Sequence, residues 1–350
     1  MSFVTVTSAV LSDYIQRLLE ASAVDAGAAK LIADSLVAAN LRGVDSHGVQ
    51  LLPFYIEQLE NGRVSATARG RVVSESGCCL VYDGENGLGQ PISEICCGHV
   101  VRLARQHGMG MVLTRESNHF GAAAWWAQRI SSQGMVGIVL CNASPMVAPW
   151  QGCEPRFGTN PICMSVPSTG GGGWLLDMAS TTVAMGKVYG AMVRGEPSIP
   201  AGWAMDSEGV PTTSTETALN GLLMPLGGYK GSGLSMMVEI LCGALSGGAM
   251  SSELGGLRIQ TRPFRVGQTF LAIDVARFMP LEQFQERMER LVTMVKSSRP
   301  ARGYEEVLVA GEPEWRMEAV RKREGIPVPV NLWEKLGEIA ARKGVAPLTV

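Results

Sequence analysis

Two short apolar runs set the frame for this chain, MGMVLTR (109–115) and MVGIVLCN (135–142). Each reads as a buried strand. Ile92 to His107 before the first, and Ala122 to Gln133 between the two, carry helical periodicity instead. Strand and helix in alternation call for a sheet with helices laid against it. Further strands are expected as an alternating pair over 70–83, at QTFLAID (268–274) and, briefly, at Val307 to Val309. Residues 161–178 read as a hairpin closed by the glycine run Gly170 to Gly173.

The two ends of the chain look different. Thr7 or Ser8 caps a first helix through Leu18 and Leu19, and Ala23 to Asn40 form a second. LLPFYIEQLENG (51–62) is a third, stopped at Asn61-Gly62. Gly231 to Leu245 reads as a long apolar helix, Gln283 to Lys296 as an amphipathic one, and Asn331 to Lys343 as the last. The order predicts an α/β domain over 71–279 and a helical domain built from 1–70 and 280–350. No internal repeat is evident.

Charged residues make up 18% of the chain and hydrophobic ones 46%, so much of it must be buried, with a small surface or one covered by another subunit. A net charge of -2, no basic tract and few aromatics argue against nucleic acid or a membrane surface as partner. The N-terminal stretch has no basic n-region, and no segment is apolar for long enough to span a bilayer. The eight cysteines form no CxxC with a matching partner, so a cytoplasmic protein with reduced thiols, no disulfide framework and no metal site is expected. Most of the 42 glycines edge apolar runs, where tight turns or a close backbone approach to a ligand require them.

No GxGxxG fingerprint follows a strand, and no Walker A sequence occurs, so any nucleotide must be held another way. Four polar clusters remain. Arg42-Gly-Val-Asp45-Ser46-His47-Gly48 lies between two helices; a histidine beside a serine can exchange a proton with a substrate oxygen, although a helix cap with a solvated histidine fits as well. Glu116-Ser-Asn118-His119-Phe120-Gly121 follows a strand and opens a helix, the place where α/β proteins set ligands and where free N–H groups face an anion. Phe157-Gly-Thr159-Asn-Pro161 is a turn, and Asp177-Met178-Ala179 follows a strand. Pro225-Leu-Gly-Gly-Tyr-Lys230-Gly231-Ser-Gly233 opens the apolar helix, with Lys230 suited to a phosphate or carboxylate. His99 and His107 fall in a helix and read as structural.

In sequence order LRGVDSHGVQ, DGENGLGQ, SNHFGAAAWWA, FGTNP, LDMAS, GKV, PLGGYKGSGLSMMVEIL and GEPE resemble the malate/L-lactate dehydrogenase family, the kind without a Rossmann motif. That family also holds sulfolactate and ureidoglycolate dehydrogenases, diketogulonate reductase and cyclic imino acid reductases. The resemblance implies a three-layer mixed-sheet cofactor domain, a homodimer, and NAD or NADP as hydride carrier for a small 2-hydroxy or 2-oxo acid. It implies His47 as proton donor with Ser46 beside it, and His119 as a competitor for that role. Asn118, His119, Phe120, Gly121, Ala122, Ala143, Asp177, Met178, Ala179, Lys230, Gly231, Arg287, Gly311, Glu312 and Pro313 match cofactor positions, and Thr159 a substrate contact. Lys187 stands where the imino acid reductases place a relay aspartate, which favours a hydroxy acid over a cyclic imine. An imino acid reductase and an inactive nucleotide-binding protein remain as alternatives.

Two departures from the family stand out. Relatives commonly carry an arginine four residues after the active-site histidine, and here that residue is Leu51. Either Arg42 takes the substrate carboxylate, or the substrate brings a bulkier apolar tail to an uncharged wall at Leu51. Gln268 in VGQTF stands where many malate-type relatives have histidine.

Overall fold

The ends of the chain fold together around one apolar core. In the computed structural model, which describes residues 2–169, 172–257 and 262–348, β1 (Phe3–Val6) pairs antiparallel with β12 (Ile326–Pro329). Helix α1 (Ser8–Glu20) starts where Thr7 Oγ1 accepts from the Val10 N–H, and α2 (Ala26–Leu41) where Asp25 accepts from Ala28. The second helix begins later than Ala23 because that residue takes a left-handed turn conformation ahead of the Asp25 cap. α3 (Leu52–Glu60) ends at Asn61 as expected. Leu11, Ile15, Ile32, Leu36, Leu52 and Ile56 interlock with Leu336 and Ile339 of α11 (Val330–Lys343). Each such side chain contributes about 1.5–3 kcal/mol by leaving water.

Alternation along the central strands decides what covers each face. β4 (Met109–Ser117) and β5 (Met135–Cys141) flank β11 (Val266–Asp274), both antiparallel to it. β3 (Cys79–Asp83) runs parallel to β4, and β2 (Arg71–Ser76), β6 (Ile162–Ser165) and β7 (Leu175–Met178) complete the order β2-β3-β4-β11-β5-β6-β7. Val112, Val139 and Phe270 face α4 (Gly89–His107) and α5 (Ala123–Ser131), whose Trp126 is fully buried. Ile138 and Leu140, one residue out of step, face Val238 of α8 (Tyr229–Glu239) and Cys242 of the π turn that continues it. Helices on both faces of a mixed sheet make the three expected layers.

The helical ends also carry the β1–β12 ribbon, which sequence patterning does not single out. A further small unit, absent from the two-domain expectation, stands between β7 and α8. It packs α6 (Met185–Val193) and α7 (Thr215–Asn220) on β8 (Ala204–Met205), β9 (Pro211–Thr212) and β10 (Leu222–Leu223) around its own core of Val147, Val183, Val188 and Leu223. Residues 307–309 are not a strand. The Val309 N–H points to the Glu312 carboxylate at the start of α10 (Glu312–Glu324), so the donor that a ladder would need is taken. β6 and β7 form the expected antiparallel pair, while Gly170 and Gly171 at its tip lie outside the described residues. α9 (Leu281–Lys296) contains no buried residue and is tied to α10 through Lys296 and Glu312. Among the described residues, no helix is long and apolar enough to cross a membrane, and no cluster of His, Cys, Asp or Glu could hold a metal.

Candidate active site

The loop after α2 is a single 3₁₀ turn, Asp45–His47. Its hold comes from other elements. Arg321 of α10 grips Asp45 with two bonds of 2.7 and 2.9 Å, and Asn40 Nδ2 donates to the same carboxylate at 2.6 Å. The Asn40 carbonyl oxygen of the side chain in turn accepts the Val49 N–H at 2.8 Å. So braced, the turn sets Ser46 Oγ 3.0 Å from His47 Nδ1. His47 is half-buried, and burial pushes its imidazole below the ordinary histidine value.

His119 reaches the same place from the end of β4. Its ring stacks on that of His47, with centroids 5.7 Å apart at 25°. Tyr55 of α3 stands 2.7 Å from His119 Nδ1, and Gln90 of α4 donates to the Tyr55 oxygen at 3.1 Å. Neither Tyr55 nor Gln90 stood out in the sequence: one sits in an amphipathic helix, the other beside a glycine turn. The signal available was polar character at positions that helical periodicity assigns to the interior. Asn118 ties the turn back to β3's exit, donating to the Asn86 side chain at 3.1 Å and the Gly87 carbonyl at 2.8 Å. Gln268, fully buried, donates to the Asn118 carbonyl at 2.9 Å, so this departure from the family supports the histidine turn.

Several expected cofactor positions come together around the exit of β7. Asp177, at the end of β7, caps α5 by accepting the Ala124 N–H at 2.9 Å. Its carboxyl is open to solvent on one side and crowded by protein on the rest; desolvation raises it to about 6, against the pull of Ala124 and Arg42. The start of α5 is therefore not a vacant anion site, since a carboxylate already meets one of its N–H groups. The start of α8 differs. It has no side-chain cap, and Lys230 there is exposed and enters no ion pair among the described residues. A Cβ on Gly231 would fall 2.6 Å from the Ser180 carbonyl, so glycine is required for the helix to abut the turn after Asp177-Met178-Ala179. Ser180 donates twice to the Thr159 carbonyl, at 2.8 and 2.9 Å, and the neighbouring Asn160 accepts the Ala143 N–H at 3.0 Å. Gly311 packs on Leu175, which brings Glu312 and Pro313 to the same edge, although Glu312 is engaged by Lys296 and Arg316. A cation at an uncapped helix start and an accessible carboxylate suit the phosphates and ribose hydroxyls of a nicotinamide dinucleotide.

Other expected residues fall elsewhere. Leu51 is 4% exposed and belongs to the core under α2 and α3, so it is no wall of a substrate pocket. Arg42 is buried too: it donates to Gln128 at 2.8 Å and lies 4.4 Å over the Trp315 ring, so the idea that it takes the substrate carboxylate gives way to a packing role. The Phe120 ring stacks on Trp126 in the sheet core, and its backbone carbonyl accepts the Trp126 Nε1–H at 2.8 Å. Arg287 is exposed on α9 with no described link to the cluster. Lys187 is exposed on α6, and its neighbour Gly186 comes close to the active loop: a Cβ there would stand 3.5 Å from Ser46 Cβ.

Comparison with known proteins gives this geometry a lineage. The model of the malate/L-lactate dehydrogenase family matches residues 6–337. Malate dehydrogenase of Pyrococcus horikoshii is 38% identical over 355 residues, covering 99% of this chain and 98% of that protein. L-sulfolactate dehydrogenase of Methanocaldococcus jannaschii is 36% identical over 317 residues, 91% of each chain. The solved structure of the Pyrococcus horikoshii malate dehydrogenase superposes with a TM-score of 0.91 at 36% identity, covering 99% of this chain and 97% of that one. With sequence and fold agreeing from end to end, the chain belongs to the malate/L-lactate dehydrogenase family and is an oxidoreductase.

Proposed function

We propose that this protein interconverts a small 2-hydroxy acid and its 2-oxo acid with NAD or NADP, His47 exchanging the proton on the substrate oxygen. The observation that carries this reading is the pair of imidazoles whose ring centroids lie 5.7 Å apart. Substrates of this class are also named for the relatives, malate and L-sulfolactate dehydrogenases.

A nicotinamide coenzyme, when bound, would supply or accept the hydride. Ser46 engages His47 Nδ1, which leaves Nε2 for proton exchange. The Arg321–Asp45–Asn40 brace holds that imidazole in one place, and fixed geometry is worth much of the barrier in such reactions. Lys230 serves the phosphates and Asp177 a ribose hydroxyl. With Arg42 and Arg321 committed, Lys187, the chain neighbour of the Gly186 that approaches Ser46, is the cation assigned to the substrate carboxylate. Exposed Leu291, Met294 and Val295 on α9, and Met236 on α8 with Ile240 and Leu245 in and just after the π turn that continues it, support a homodimer whose partner covers apolar faces.

Incubation with NADH or NADPH and a panel of 2-oxo acids, with and without methylamine, tests the chemistry. Turnover without amine is expected. Turnover with methylamine alone would make the protein an imine reductase, and silence across the panel would remove the reading. Light scattering should give about twice the 37.3 kDa chain mass.

A further inference from the structure

The two histidines have partners of different hydrogen-bonding character. The Gly121 backbone N–H points at His119 Nδ1 over 3.2 Å. A backbone N–H donates and never accepts, so Nδ1 must be the lone-pair nitrogen of that ring. The Tyr55 hydroxyl, 2.7 Å from the same atom, must then donate as well. Burial pushes its phenol well above the ordinary value, so it keeps its proton. Gln90 closes the chain from behind. A Cβ on Gly89 would come within 2.3 Å of the Asn118 and His119 carbonyl oxygens, so the helix start that carries Gln90 is pressed directly onto the turn it holds. His47 is held otherwise, because its Nδ1 partner is the Ser46 hydroxyl, which can donate or accept.

We propose that Gln90, Tyr55 and the Gly121 N–H lock His119 in its Nε2–H tautomer, so that His119 acts as a neutral hydrogen-bond donor to the substrate oxygen while His47 alone exchanges the proton. Tyr55 and Gln90 are positioning residues in this scheme, which rests on the function proposed above. During reduction, the hydride brings two electrons to C2, the C=O π bond breaks, and the oxygen takes the proton from His47 Nε2. His47 ends neutral, and His119 keeps its proton throughout. Imidazolium at His47 remains possible because Ser46 Oγ can accept from a protonated Nδ1. At His119 a proton on Nδ1 would face the Gly121 N–H.

The test reads the tautomer itself. In the full-length protein labelled with ¹⁵N-histidine, two-bond proton–nitrogen spectra assigned with single His→Gln variants should show His119 as neutral Nε2–H between about pH 6 and 8. Tyr55→Phe should mix the two tautomers and lower kcat roughly three- to tenfold, the worth of one buried hydrogen bond, with the coenzyme KM unchanged. Gln90→Met should move both readings the same way. A wild-type His119 that is charged, or carries its proton on Nδ1, overturns the lock. So does a Tyr55→Phe protein with unaltered tautomer and kcat. If the spectra are as expected but no 2-oxo acid is turned over, the lock stands and the proposed reaction falls.

Discussion

His47 and His119 approach one another from different parts of the chain, and each is fixed in the way its own neighbourhood allows. The His47 turn has little apolar contact of its own and is held by charge: Arg321 on Asp45, with Asn40 between them. The His119 turn is held by the interior, through Tyr55, Gln90 and Gln268, the last two fully buried. A hydroxyl partner permits His47 two protonation states, whereas a backbone donor permits His119 one. In the scheme proposed above, proton exchange and fixed polarisation are divided between two residues of the same kind.

The largest test of that division is removal of each ring. His47→Ala should lower kcat by roughly 10²–10⁴ and abolish the histidine limb of the pH–rate profile, with coenzyme affinity retained. His119→Ala should cost about 10²–10³ and leave that limb in place. Loss of the limb in His119→Ala instead would reverse the roles. The ground under the His47 loop can be probed at Leu51. Because its side chain is in the core, Leu51→Arg should lose about 3 kcal/mol or more of stability without reordering the substrate panel. A reordered panel measured on folded protein would return Leu51 to the site.

Lys187→Met asks which side of the cleft holds the substrate carboxylate. KM for the 2-oxo acid should rise about 10- to 100-fold with a much smaller change in kcat. An unchanged KM would send the search to other cations. Arg321→Ala removes the brace on Asp45; that carboxylate is half exposed, so a loss of only about 1–2 kcal/mol is expected in Tm-derived stability, with a fall in kcat. If stability drops and kcat does not, the brace serves the fold alone. The gentlest test is pH. Burial lowers His47, so near neutrality it is the base, and oxidation of the hydroxy acid should decline only as pH falls through a value below that of an unfolded histidine. Between those two values the unfolded chain binds more protons, so His47 makes stability rise with pH. Asp177 does the reverse: with its carboxyl raised from 3.8 to about 6, it makes stability fall as pH climbs across that range, and Asp177→Asn should flatten that part of the profile. A decline in oxidation that begins above pH 7 would contradict the assignment of His47.

What the residues determined by themselves was most of the central strands, the larger helices around them and the order of the polar turns. Strand runs such as 109–115 and 135–142, the caps at Thr7 and Asn61, and the helices between them are written in local periodicity, which depends on near neighbours. The motifs carried the family for the same reason, since they are contiguous. Position in space is another matter. Leu51 and Arg42 look available beside His47 in the sequence, yet one is packed under α2 and α3 and the other lies against Trp315, a residue far along the chain. Tyr55, Gln90 and Arg321 became part of the site through contacts across 64, 35 and 276 residues, and the β1–β12 ribbon joins opposite ends. A hydrogen bond depends on where the fold sets donor and acceptor, so the sequence named two histidines and only the tertiary structure decided what holds each of them.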